Sequence, residues 1–391
     1  MSLQNNIKLL KWFNFFTDLR LYAPIAIIYF AQVTGSYALG MSIFSITMVS
    51  SALFEIPTGI LSDFVGRRKT IIFGAVAAVL FSVFYAIGQS FLFLIIGAVF
   101  EGLSRSFYSG NNDAFLHDTL SQEGKEDEYE HHLGKLNSMF QIALGFSALV
   151  GGILATWSFP LIMWLSVLSQ IMCLILAFRM IEPAVHSDDS GNMYEHIGEA
   201  VRRFTQNYKL RLLSISSILS YGFGEASYLF QAAFYHTLWP VWAIGAAKTL
   251  SNVGATASFW YSGSIIKKFG APKLLLVTDL YSRIVTITAS AFPSILSPIL
   301  MSSTSLTYGV ASVSENSLMQ KEFTQKQRAT MGSLNSFLGS IFFGIIAYML
   351  GLAADSFSPA HALLVLHVVR IPTIGLYWLL FKNAMVQTIK S

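Results

Sequence analysis

Gly59-Ile60-Leu61-Ser62-Asp63-Phe64-Val65-Gly66-Arg67-Arg68-Lys69-Thr70 sets four charges between two long apolar stretches. Around it the 391-residue chain is 54% apolar and 12% charged, with a mean hydropathy of +0.57. A soluble domain carries roughly 25% charged residues, so an ordinary cytosolic enzyme is excluded. The 32 Phe and 28 Gly fit a helical membrane protein, where glycine permits close helix contact. The single cysteine, Cys173, excludes an intramolecular disulfide and a cysteine-based metal site.

A spanning helix needs about 20 mostly apolar residues. Apolar segments are expected at 12–34, 37–61, 70–88, 91–118, 134–155 and 158–180, then at 209–237, 240–265, 272–291, 294–319, 332–353 and 358–381. The fold class is therefore an all-α membrane protein with twelve transmembrane helices. The N-terminal stretch up to Trp12 lacks the pattern of a cleaved signal peptide. Ser121–Leu133 reads as an acid-rich loop, and residues 181–208 as a linker. Within that linker Tyr194, Ile197, Val201 and Phe204 recur at helical spacing beside Arg202 and Arg203, the pattern of an amphipathic surface helix.

Basic residues orient this topology. With both termini inside, 20 of the 25 Lys and Arg fall at cytoplasmic ends and loops. The other five (Arg20, Arg105, Lys248, Arg283, Arg370) fall within spans. The net charge of +4 is thus an orientation signal, not a nucleic-acid footprint. Two stretches recur at corresponding junctions of a six-plus-six repeat. Gly59 to Lys69 returns, degraded, as Gly263-Ser-Ile-Ile-Lys267-Lys-Phe-Gly270-Ala-Pro-Lys273, and Gly134-Lys-Leu-Asn137-Ser138 returns as Gly332-Ser-Leu-Asn335-Ser336. The expected domains are 1–180 and 209–391, joined by 181–208. Two such halves form an alternating-access transporter with its site near the midplane.

The G-x-L-S-D-x-x-G-R-R-K-T stretch resembles the loop signature of the major facilitator superfamily, and the repeat, orientation and central linker extend the resemblance over the whole chain. Gly59 and Gly66 suit close helix approach and a tight reversal. Asp63 suits a neighbouring helix N-terminus. Arg67, Arg68 and Lys69 suit charge-assisted bonds across the seam. The resemblance implies that this cluster latches a gate. Glu55-Ile-Pro57-Thr58-Gly59 and Ser109-Gly110-Asn-Asn-Asp113-Ala-Phe-Leu-His117-Asp118 look like a prokaryotic branch of the superfamily. Proton-coupled members often carry an arginine in span four, four residues before a glycine; Ala98 stands there, with Glu101 and Arg105 nearby. The exporter signature of span five keeps its glycine pair, Gly151-Gly152, and lacks its proline.

Charges within spans are costly and mark function by default. Glu101 and Arg105, Asp279 and Arg283, and Asp113 and His117 are spaced i,i+4 and can neutralise one another. Asp18 and Arg20, two apart, must seek partners on other helices. Glu225 falls mid-way along span seven with no basic residue within a turn, which suits a group that carries a proton across. The alternative is a buried acid bonded to backbone or paired with Lys248 or Arg370. Glu315 in span ten is a gate or substrate candidate, and Tyr22 and Tyr228 are candidate cavity aromatics. Glu130-His131-His132 matches no metalloprotease motif, and no phosphate-binding loop occurs, so no metal, cofactor or enzymatic activity is expected.

The expected function is secondary active transport of a small organic solute, proton-coupled, with efflux favoured over nutrient import or a receptor role. The expected partners are the solute, protons and the lipid bilayer. The expected setting is the inner membrane, multi-pass, as a monomer with cytoplasmic termini.

Overall fold

The computed structural model describes residues 3–184, 204, 207–322 and 328–390. They form an all-helical chain with no strand among them. By contacts the chain divides into two compact units, residues 1–189 with 240–249, and residues 190–239 with 250–391. The amphipathic helix expected around Tyr194, Ile197 and Val201 lies outside the described residues.

Local chemistry starts and stops the helices. Ser36 accepts a hydrogen bond from Leu39 N to cap span two, Tyr37–Val65. Ser158 does the same for span six, Phe159–Arg179, and Asn207 for span seven, Tyr208–His236. Gly66 takes φ +98° between span two and span three, Arg67–Ile87, and Gly270 takes φ +81° between span eight, Val241–Phe269, and span nine, Ala271–Ala291. A side chain is strained at such φ values, so both copies of the repeated motif turn on glycine. The repeat also reappears in packing. Gly102 of span four presses on Thr47 and Ser50 of span two, and Gly309 of span ten presses on Ser258 and Phe259 of span eight. A Cβ on either glycine would collide with backbone.

Eight helices among the described residues are long and apolar enough to cross a membrane. The expected spans missing from that set are one, seven, eight and ten. Two of these are interrupted helices. Span one consists of Gln4–Asp18, a short 3-10 turn at Ala23–Ile25, and Ala26–Thr34, not one continuous helix. Pro24 lacks the N–H that a continuous helix needs. Span ten breaks at Thr304, between Ser297–Ser303 and Ser305–Glu322. Span four divides at Ser109-Gly110 into Phe91–Tyr108 and Asn111–Gln122. Span twelve divides before Pro372 into Pro359–Val369 and Pro372–Lys390. Span five starts earlier than expected, at Tyr129, so the end of the acid-rich loop is helical.

A broken helix in a bilayer must have its freed backbone groups satisfied by protein. Spans five and six do this for span one. Ser166 Oγ accepts from Leu21 N at 3.0 Å, and Gln170 Nε2 donates to the carbonyls of Phe16 and Thr17 at 3.3 Å each. Gly151 of span five leaves room for the Leu21 carbonyl, which a Cβ there would strike.

Gly151→Ala is therefore expected to destabilise the protein by about 1 to 3 kcal/mol, as overpacking does. Gly145→Ala, on the same helix with nothing near its Cβ, is expected to raise stability by several tenths of a kcal/mol through helix propensity. Detergent-solubilised thermal unfolding of the two variants would show opposite signs.

Candidate functional site: a charged helix junction and two buried charge clusters

The motif forms a corner that ties four spans of the first unit. Arg67 Nη1 donates to Asp63 Oδ1 at 3.0 Å and to Ser62 Oγ at 2.9 Å. Its Nε lies 3.6 Å from Asp118 Oδ2, in the second segment of span four. Ser62 Oγ donates to Asn111 Oδ1 at 2.6 Å, and Asn111 Nδ2 donates back to the Arg67 carbonyl at 3.1 Å. The start of span three is capped by Glu182, just past span six. Both its carboxylate oxygens accept from Arg68 N at 3.1 Å. An anion at a helix N-terminus contributes roughly 0.3–1 kcal/mol, more when partly buried. Arg68 Nη2 in turn donates to the Phe178 carbonyl at 2.9 Å. A Cβ on Gly66 would lie 2.7 Å from the Glu182 carboxylate, a second reason for glycine there.

Within the unit the carboxylate at a helix N-terminus is that of Glu182, while Asp63 is exposed and paired with Arg67. Gly59 is exposed, with open space at its Cβ among the described residues of this unit. Lys69 is exposed.

The second cluster sits at the break of span one. Glu101 is buried, and both its oxygens are engaged. Oε1 accepts from Arg20 Nη1 at 2.6 Å and from Arg105 Nη2 and Nε at 3.0 and 3.2 Å. Oε2 accepts from Tyr85 Oη at 2.9 Å and Thr47 Oγ1 at 3.4 Å. Arg20 also donates from Nε to the Thr17 carbonyl at 3.0 Å and lies over the Phe81 ring. One carboxylate thus holds spans one, two, three and four. Asp18 is half-buried and acts on Arg20 and Arg105 electrostatically. Tyr22 is 3% exposed and packs edge-on against Tyr85, so it is a core residue here and not a cavity aromatic. Asp113 is exposed, and His117 Nδ1 lies 3.6 Å from Asp118, its sequence neighbour, instead of pairing with Asp113.

The third cluster lies in the second unit. Asp279 Oδ1 accepts from Arg283 Nη2 at 2.7 Å and lies 3.6 Å from Arg370 Nη2, beside the break of span twelve. Arg283 Nη1 lies 3.2 Å from His367 Nδ1. A guanidinium only donates, so Nδ1 is the acceptor and Nε2 carries the proton. Nε2 then donates to Ser227 Oγ at 3.3 Å. Glu315 accepts from Ser217 and acts on Arg370 and Asp279. Glu225 is half-buried on span seven and acts on Tyr228 and Tyr308, both exposed.

The profile described as Major Facilitator Superfamily matches residues 12–369. The chain belongs to that superfamily. Among curated relatives, an uncharacterized MFS-type transporter of Methanocaldococcus jannaschii is 21% identical over 376 residues, covering 90% of this chain and 94% of that one. An uncharacterized transporter of Buchnera aphidicola is 30% identical over 141 residues, 36% of this chain and 34% of that one. Among solved structures, a variant of the nucleoside transporter NupG superposes with a TM-score of 0.81 at 11% identity, covering 96% of this chain and 100% of that one. A bacterial homolog of the human lysosomal transporter Spinster, in an inward-facing and unoccupied conformation, gives 0.76 at 14% identity, covering 96% of each chain. These structures share the major facilitator fold, with twelve spans in two six-helix repeats. The protein is a multi-pass membrane transporter and not an enzyme.

In this MFS chain, Glu182, Tyr85 and Thr47 are functional candidates that sequence reasoning passed over. Glu182 had one signal, an acid followed by Pro183 at the exit of span six. Tyr85 and Thr47 had none.

Removing one partner of a buried ion pair strands the others at about 3–5 kcal/mol. Glu101→Gln is expected to lose stability on that scale in detergent unfolding. Asp113→Asn, on an exposed site, is expected to stay within about 0.5 kcal/mol of wild type.

Proposed function

We propose that this MFS transporter couples a small organic solute to protons by alternating access, with Glu225 as the proton carrier. The observation that carries the reading is the setting of Glu225, a carboxyl among phenols. Glu225 stands on span seven beside Tyr228 and Tyr308. A phenol can donate to a carboxylate and accept from a carboxylic acid, so it supports both protonation states. The corner of Asp63, Arg67, Asp118 and Glu182 is the gate element in this reading, and residues 1–180 and 209–391 are the two moving domains. Both termini face the cytoplasm across the inner membrane, in keeping with the placement of Lys and Arg. The protein works as a monomer.

The direction we propose is uptake. The sequence reading keeps efflux ahead, although the span-five signature, without its proline, leans away from export, and Gly151 of that signature has a packing task at the break of span one. A proton moving inward with the solute then drives accumulation.

Proteoliposomes with an inward proton gradient test this. Wild type is expected to take up proton with solute. Glu225→Gln is expected to lose gradient-driven accumulation at least tenfold while solute-for-solute exchange continues. Undiminished accumulation by Glu225→Gln would sink the coupling role. Solute-triggered proton movement in the opposite sense to solute would return efflux.

A further inference from the structure

We propose that Arg105 presents the open face of its guanidinium to an oxyanion of the transported solute, a carboxylate or a phosphate. The inference rests on the transport reading above and names its substrate class.

The geometry begins with unequal exposure. The side chains of Glu101 and Arg20 are 8% and 10% exposed, whereas that of Arg105 is 41% exposed. Arg105 is thus the outward member of a buried triad. It lies 14 residues beyond Phe91, the start of its span, which is about 21 Å along a helix at 1.5 Å per residue. That depth is inside a hydrocarbon core of about 30 Å. A guanidinium facing lipid there is unfavourable by at least about 2.5–3.5 kcal/mol. An open face at this depth therefore belongs to a water-filled path.

The chemistry of that face follows from what the triad has already used. Arg105 commits Nε and one Nη2 proton to a single oxygen, Glu101 Oε1. A guanidinium has five N–H donors in a plane, so the outer part of the fork remains for a ligand. Glu101 is already engaged by Arg20, Tyr85 and Thr47, so it holds Arg105 in place without offering a lone carboxylate to the solute. In direct contact there are two guanidinium groups and one carboxylate, with Asp18 acting from outside the triad. With Asp18 counted the cluster holds two charges of each sign, so the free geometry of the fork, not a net charge, offers the site. A preset planar fork with spare donors matches a carboxylate or phosphate bidentately, which a lysine would not. An anionic solute carried with a proton also reduces the net charge that must cross the membrane.

The test is ligand binding by the purified full-length protein, with succinate, glucose 6-phosphate, uridine and tetraphenylphosphonium as probes. An oxyanion, succinate or glucose 6-phosphate, is expected to bind saturably to wild type, and the responding member separates carboxylate from phosphate. Arg105→Gln is expected to weaken that binding at least tenfold, and Arg105→Lys, which keeps the charge and loses the fork, to weaken it less. Unfolding temperature without ligand is read in parallel, so misfolding is separated from lost recognition. The proposal is overturned if Arg105→Gln binds the oxyanion as wild type does, or if wild type answers to neither oxyanion. Glu225→Gln is read alongside: oxyanion binding intact with coupling lost supports both proposals, and coupling intact with binding lost only in Arg105→Gln removes the coupling role alone.

Discussion

The contact between Arg20 and Glu101 is the constraint around which the first unit is arranged. Arg20 sits where span one leaves the regular α-helix, its N–H donating to the Asp18 carbonyl and its carbonyl accepting from Ala23 N, and its 2.6 Å side-chain bond reaches across to span four. Once the break exists, neighbouring spans must accommodate it. Ser166 and Gln170 answer its freed backbone groups, and Gly151 makes space for a carbonyl that would otherwise have nowhere to go. Glu101 then draws in Tyr85 and Thr47, so one buried carboxylate sets the register of four helices. A half-satisfied buried network is worse than an apolar one, which is why this group stands or falls together.

The second unit uses the same device in a different place. Asp279 of span nine holds Arg283 on its own helix and Arg370 beside the break of span twelve. The repeat therefore preserves a fold and a style of charge compensation, without preserving which spans carry the charges. Backbone demands are shared more strictly: Gly66 and Gly270 both take positive φ, and Gly102 and Gly309 both admit a neighbouring helix. Where Asp63 pairs with Arg67 in the first copy, Lys267 stands at the matching position of the second, so the motif corner is built once.

The four spans that fall short of membrane-crossing apolarity are informative in the same way. Spans one and ten are broken, and spans seven and eight are long but carry many polar groups. A transporter needs polar surface somewhere along its length, and breaks and polar side chains are tolerated only where protein or water receives them. The side chain of Arg105 is 41% exposed, while those of Arg20 and Arg283 are buried in the charge clusters.

Local and periodic features were legible in the sequence: the helical class, the repeat, the charged loop between spans two and three, and the i,i+4 pairs Glu101 with Arg105 and Asp279 with Arg283. These are properties of neighbouring residues, set by hydrophobic period, charge placement and helix geometry. Pro24 and Pro372 marked the breaks of spans one and twelve, but the high apolarity around them reads as continuous helix. Whether a lone acid or base finds a partner depends on side chains brought together from distant positions. Arg20 meets Glu101 across 81 residues, and Glu182 caps span three across 114. Only the tertiary structure decided that Tyr22 is buried, that Asp113 is exposed, and that Glu182 caps the start of span three. Packing, not sequence spacing, chooses which donor reaches which acceptor.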